Sequence, residues 1–148
     1  MKKIRILIVD DHTVVRGGLR LFLLAFPDLE VVGEANSGRW AIELCGLYEP
    51  DVVIMDLLMP DMSGIEATRQ IRSKFPKTHV VALTSFPDEQ LVRDAIAAGA
   101  TGYLIKTASA TELVDAIRAA AQGKSVLSPE ATKAIQNQSG KPFYHESL

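Results

Sequence analysis

An internal disulfide is closed to this sequence, because Cys45 is the one cysteine among 148 residues. A lone thiol cannot form an internal bridge, which fits a reducing, cytoplasmic setting. The three histidines, His12, His79 and His145, are far apart, so no Cys and His set offers itself to structural zinc. No apolar run approaches the ~20 residues that span a bilayer. The start, Met1-Lys2-Lys3-Ile4-Arg5, passes directly into a strand-like pattern, so neither a membrane anchor nor a secretory leader is expected. A surplus of one charge is missing too. Sixteen basic residues against 18 acidic ones leave nothing over for phosphate neutralisation, which argues against nucleic-acid binding by this chain itself.

What is present is the material of one domain. A chain of this length with 47% apolar residues can bury roughly 70% of the surface its unfolded form exposes. Short β-branched runs (4–9, 31–35, 52–55, 80–84 and 102–105) alternate with longer amphipathic stretches. Runs apolar at nearly every residue suit strands covered on both faces, as in a parallel sheet with helices on each side. Spread to Gly123, the alternation gives about 25 residues per unit, the size of a strand, a helix and two short loops. Val15, Leu19, Phe22 and Phe26 fall on one helical face. Ser63 with Glu66 and Ser109 with Glu112 read as capping boxes. Pro87 suits a first helical turn, Pro76 closes the third helix, and Gly99 and Gly123 sit where helix ends favour a left-handed residue. From Lys124 the alternation stops. Residues 1–123 are read as the domain and 124–148 as a linker, with a short helix from Ser128 and Pro129 to about Gln138.

Asp10, Asp11, Asp56, Thr84, Ser85 and Lys106 all follow the carboxyl ends of strands, the edge that carries the ligand crevice in an open parallel sheet. Any one of them alone is more simply a turn or cap residue; converging from four strands, they suggest a site. Three ionised carboxylates close together repel and need positive charge, either from Lys106 or from a hard divalent cation. Mg2+, with its preference for oxygen ligands and phosphate, suits the set. His12 adjoins the acidic pair. A carboxylate beside such a cation and a lysine can attack a phosphoryl group and become an acyl phosphate. Asp56 is the best placed, at the end of the most apolar run, Val52-Val53-Ile54-Met55.

Four segments, in this order, resemble the receiver domain of two-component response regulators. They are Ile6-Leu7-Ile8-Val9-Asp10-Asp11-His12, Asp51 to Pro60 with Ser63-Gly64, Leu83-Thr84-Ser85, and Gly99 to Lys106. The resemblance covers residues 4 to about 123 and implies a flavodoxin-like α/β fold with a five-stranded parallel sheet in the order 2-1-3-4-5. It further implies that Asp56 accepts phosphate from a sensor histidine kinase. Mg2+ would be bound by Asp11, Asp56 and the backbone carbonyl of Leu58, with Asp10 acting through water. Thr84 and Lys106 would bind the phosphoryl group, and Tyr103 would be the switch aromatic that turns inward as Thr84 moves. Read without the family, Tyr103 is simply an aromatic packed at the sheet edge.

Within the family, Gly102 to Lys106 and Gly123 to Pro129 look most like the NarL/FixJ or LuxR-type branch. Val31 to Glu34 and Asp56 to Met59 are similar to the LiaR and VraR group of cell-envelope-stress regulators. That branch implies a phosphorylation-promoted homodimer and a DNA-binding helix-turn-helix output lying beyond this chain; a receiver working alone is the other possibility. The small residues Ala95, Ala97, Ala98, Ala116, Ala119, Ala120 and Ala121 offer a surface for close approach, or serve simply as good helix formers. An aspartyl-phosphate phosphatase of the haloacid-dehalogenase type would want Asp-x-Asp after the first strand, where this chain has His12. A flavodoxin-like cofactor site would want a glycine- and hydroxyl-rich loop in place of Asp10-Asp11.

Overall fold

The computed structural model describes residues 2–85, 88–106, 108–129, 132–133 and 136. Strand and helix alternate from the start: β1 (Ile4–Val9), α1 (Thr13–Leu23), β2 (Leu29–Ala35), α2 (Gly38–Tyr48), β3 (Val52–Asp56), α3 (Gly64–Lys74), β4 (His79–Thr84), α4 (Glu89–Ala97), β5 (Gly102–Ile105), α5 (Ala110–Ala121) and β6 (Val126–Leu127). The sheet is parallel throughout, in the order β2-β1-β3-β4-β5-β6. The expected order of the first five strands is present, but the count of five is corrected to six. The sixth comes from the segment expected to be only linker. Val126 N–H donates to the Thr101 carbonyl (3.2 Å) and Ser128 N–H to the Tyr103 carbonyl (2.9 Å). An apolar pair following the Gly123 turn thus meets the otherwise unpaired edge of β5. Pro129, Thr132, Lys133 and Gln136 are helical; the remainder of the expected short helix lies outside the described residues.

Strand residues point alternately to two cores, as the pleat requires. Leu7, Val9, Val53, Met55, Val80, Ala82 and Tyr103 pack beneath α2, α3 and α4 through Ala41, Leu44, Cys45, Ala67, Ile71, Val92 and Ala95. Ile6, Ile8, Val52, Ile54, Val81, Leu83 and Leu104 pack beneath α1 and α5. Both faces being covered explains why the strands read as continuous apolar runs. Cys45 is one of these core residues, and burial pushes its thiol up to about 12. On α1 the inward residue that the helical pattern omitted is the buried Leu23; Phe26 lies beyond the helix end and packs edge-on to Phe22.

Helix boundaries follow local chemistry. Gly99 and Gly123 adopt φ of +107° and +76°, as expected for helix exits. Ser109 and Glu112 form a complete capping box. At α3 only half of the expected box forms: Ser63 caps the Glu66 N–H, while the Glu66 carboxylate turns to Arg69 and Gln70. Asp88 caps α4; Phe86, Pro87 and the role expected of Pro87 lie outside the described residues. Ser109→Ala is expected to cost about 1 kcal/mol, read as a lower urea midpoint at unchanged slope. Of the seven alanines, Ala95, Ala98, Ala116 and Ala120 are buried in the protein's own interior, where small side chains let helices lie close to the sheet, while Ala97 is exposed and Ala119 and Ala121 are half-buried. Among the described residues no helix is long and apolar enough to cross a membrane.

Candidate functional site

Sheet register brings the acidic groups together. Val9 pairs with Met55 on the neighbouring strand, so the next residues, Asp10 and Asp56, leave adjacent strand ends side by side. Thr84 pairs with Ile105, and the Lys106 N–H donates to the Thr84 carbonyl at 2.8 Å, which aims the lysine back over the same edge. Asp10, Asp56 and Thr84 are buried, Asp11 and Lys106 half-buried, and Ser85 exposed. Asp10, Asp11, Asp56 and Lys106 are brought together by close contacts; Thr84 and Ser85 follow at the end of β4.

Lys106 Nζ lies 3.0 Å from Asp10 Oδ2 and 3.5 Å from Asp56 Oδ2. Asp10 Oδ1 accepts from the His12 N–H at 2.8 Å and stands 3.0 Å from His12 Nδ1. Asp56 Oδ1 accepts from the Leu58 N–H at 3.2 Å. Burial alone would raise Asp10, but the His12 N–H, Lys106 and the His12 ring outweigh it and hold its carboxyl below the ordinary value. Asp56 goes the other way. Burial raises it, with the Asp10 and Asp11 charges adding, and the Leu58 N–H and Lys106 offset this only in part. Lys106 loses solvation, yet Asp10 and Asp56 hold its ammonium above the ordinary lysine value. One lysine thus serves two carboxylates, and the site remains short of positive charge.

Ligand atoms of Asp10, Asp11, His12 and Asp56 all lie within 4.8 Å of one another. Asp11 Oδ1 is buried and has no hydrogen-bond partner among the described residues; His12 Nδ1 is 3.3 Å away but outside hydrogen-bonding geometry. An orphaned carboxylate oxygen facing two other carboxylates fits a hard divalent cation such as Mg2+. The sequence placed His12 beside the acidic pair, and the structure draws its ring into the cluster. It also brings in Arg16, which sequence reasoning missed. The available signal was spacing, since Arg16 lies one helical turn after His12.

The loop after β3 is held by close backbone contact. Gly64 N–H donates to the Leu57 carbonyl at 3.0 Å, and α3 begins directly against Asp56 and Leu57. The Leu58 side chain is half exposed. On β5 the Tyr103 ring is fully buried. Burial, then the Asp88 charge, push its phenol up to about 12 against a small opposing effect of the Thr84 side chain. The Tyr103 hydroxyl has no partner in hydrogen-bonding geometry among the described residues.

The response regulator receiver domain family matches residues 6–118. The chain is 44% identical over 149 residues to the transcriptional regulatory protein LiaR of Bacillus subtilis, covering 98% of this chain and 71% of that protein. It is also 44% identical over 138 residues to the response regulator protein VraR of Staphylococcus aureus, covering 93% of this chain and 66% of that one. The crystal structure of a LuxR-family two-component response regulator from Aurantimonas sp. SI85-9A1 superposes with a TM-score of 0.89 at 36% identity, over 95% of this chain and 100% of the other. The chain therefore spans about two thirds of its curated relatives.

Proposed function

The chain belongs to the response regulator receiver family, and on that premise we propose that Asp56 accepts a phosphoryl group from a sensor histidine kinase. A carboxylate oxygen of Asp56 attacks phosphorus, the P–N bond to the kinase histidine breaks as the P–O bond forms, and the departing imidazole takes a proton from solvent. Mg2+ held by Asp11, Asp56 and the Leu58 carbonyl, with Asp10 through water, would supply positive charge at the phosphoryl oxygens. The remaining work falls to the chain itself. Lys106, shared between Asp10 and Asp56, neutralises the added charge, and Thr84 donates its hydroxyl. Burial keeps the Asp56 nucleophile poorly solvated, which is the main reason its carboxyl is raised. The carrying observation is the clustering of Asp10, Asp11 and Asp56 at one sheet edge, with Lys106 shared between Asp10 and Asp56.

Tyr103 acts as the switch in this reading. Its ring is held by packing, with no hydrogen bond locking the hydroxyl among the described residues, so a second arrangement with the hydroxyl in water costs little polar energy. Phosphorylation need only favour one of two packings. In the whole protein, this receiver controls a DNA-binding output and forms a phosphorylation-promoted homodimer. The support for the output is the name of its 44% identical relative, a transcriptional regulatory protein, 71% of whose length the match covers; the homodimer rests on the family resemblance, and the buried alanines lend it none. The chain is a phosphoacceptor and not a turnover enzyme, with at most weak self-catalysed transfer and hydrolysis.

Weighing the protein after incubation with acetyl phosphate and Mg2+ tests the reading. The wild-type chain is expected to gain one phosphoryl group, about 80 Da, and Asp56→Asn none. No gain in the wild type, or a gain that survives Asp56→Asn, overturns it; repeated release of free phosphate from a phosphomonoester would favour the phosphatase reading.

A further inference from the structure

Behind the acidic turn lies a guanidinium to which the phosphoacceptor reading gives no part. Arg16 begins the second turn of α1, its N–H bonded to the His12 carbonyl at 3.1 Å, and its side chain runs back toward β1. Nη1 donates to the Asp10 carbonyl at 2.6 Å, Nη2 to Thr13 Oγ1 at 3.4 Å, and Nε to Glu34 Oε1 at 3.1 Å. The side chain is only 15% exposed. Glu34 is on β2, opposite Ile8 of β1, and its other oxygen takes Arg20 Nε. One planar group therefore ties the end of β1 to the start of α1 and to β2.

We propose that Arg16, oriented by Glu34, is a positioning residue for divalent-cation binding: it clamps the Asp10 carbonyl and so holds Asp11 in place to receive the ion. The physical link is the peptide plane. The carbonyl of residue 10 and the N–H of residue 11 belong to one rigid unit, so a donor fixed on that oxygen fixes the plane from which the Asp11 side chain departs. Asp11 cannot hold itself, because its buried Oδ1 has no hydrogen-bond partner among the described residues. On the other side of the turn, Asp10 N–H is bonded to the Ala35 carbonyl at 3.1 Å. Carbonyl and amide of Asp10 are thus both anchored, the first by Arg16 and the second by Ala35. The guanidinium also places a positive charge, paired with Glu34, at the Asp10 carbonyl. A lysine could supply the charge but could not reach Asp10 O and Glu34 together, because that takes a planar fork.

The inference rests on the metal-binding reading above, and the test separates the two. Mn2+ stands in for Mg2+, with free ion followed by electron paramagnetic resonance on the full chain. Loss of a group that orients metal ligands typically weakens binding by about 10- to 100-fold, so Arg16→Gln is expected to raise the Mn2+ Kd by about tenfold or more. Arg16→Lys should stay close to Arg16→Gln, and Glu34→Gln should shift the Kd in the same direction by less. In phosphorylation by acetyl phosphate, the half-saturating Mg2+ concentration should rise with the Kd while the rate at saturating Mg2+ stays within about twofold, the signature of lost uniform binding. A Kd for folded Arg16→Gln equal to that of the wild type, even with a lowered melting point, overturns the proposal, as does full recovery by Arg16→Lys. Should Arg16→Gln fail to fold, Arg16→Lys and Glu34→Gln carry the same comparison. Asp11→Asn is the control: if it too leaves Mn2+ binding unchanged, the metal-site reading itself falls.

Discussion

Gly64→Ala is expected to destabilise the protein by about 3 kcal/mol, at the upper end of what overpacking costs, and to abolish phosphorylation of the fraction that still folds. A Cβ built on Gly64 would stand 2.2 Å from the Asp56 carbonyl oxygen and 2.6 Å from Leu57 Cα. Both neighbours are backbone, so no side chain can swing aside. Either α3 lifts from the sheet or the end of β3 is pushed away, and β3 carries the proposed nucleophile. At roughly 3 °C per kcal/mol for a domain of this size, the melting point should fall by about 10 °C. Gly18→Ala is the contrasting control. Gly18 lies within α1 with nothing within 4 Å of a built Cβ, so the same chemical change there should stabilise by about 0.5–1 kcal/mol. Thermal melts of both variants decide the matter; equal effects would show that helix propensity, and not the close approach at Gly64, governs.

Lys106→Met has the second large effect, because it leaves Asp10 and Asp56, both nearly inaccessible to solvent, without their shared ammonium. Removing one partner from a buried ion pair typically costs about 3–5 kcal/mol; with Lys106 itself 21% exposed, about 3 kcal/mol at pH 7 is expected. The pH window follows from the three shifts. Asp10 is held below its ordinary value, so its share of the stability is present above the usual carboxylate range and is lost as pH falls through its lowered pKa. Lys106 is held above its ordinary value, so its share is present below the usual lysine range and is lost as pH rises through its raised pKa. The difference between wild type and Lys106→Met should thus be widest between about pH 4 and pH 10 and shrink on either side. Asp56 is raised: its ionisation costs stability as pH climbs through its folded pKa, so Asp56→Asn should melt higher than the wild type at neutral pH. Urea midpoints of the variants across pH check both signs. Millimolar Mg2+ should restore part of the Lys106→Met loss, since a ligand that binds only the folded state stabilises it by mass action.

Most of the fold could be read from periodicity. The five strand runs and five helices were expected close to where they occur, because a strand covered on both faces must be apolar at nearly every position and a helix on one face only. The misreadings share a cause. The helical stripe on α1 extended to Phe26 and omitted Leu23 because periodicity does not mark where the chain leaves the helix. Which alanines of α4 and α5 face the core stayed open because their helix propensity is the same inside and out. β6 was hidden because two apolar residues in a polar segment carry no period; only the free edge of β5 turns them into a strand.

By itself, the sequence determined the strand–helix alternation, the two glycine exits from α4 and α5, the Ser109 capping box, and the position of each acidic residue at the end of its own strand, since each depends on neighbours within a few residues. Tertiary structure decided the rest. It chose which oxygen of Asp10 meets Lys106, 96 residues away. It left Asp11 Oδ1 without a partner and turned Arg16 onto the Asp10 carbonyl. It also put Glu49 at φ +49°, a left-handed helix exit with no glycine to announce it, where Arg5 Nη1 from β1 reaches the Glu49 carbonyl at 3.1 Å. Those outcomes depend on sheet register and on distances between groups remote in the chain, and a local pattern of residue types carries no record of either.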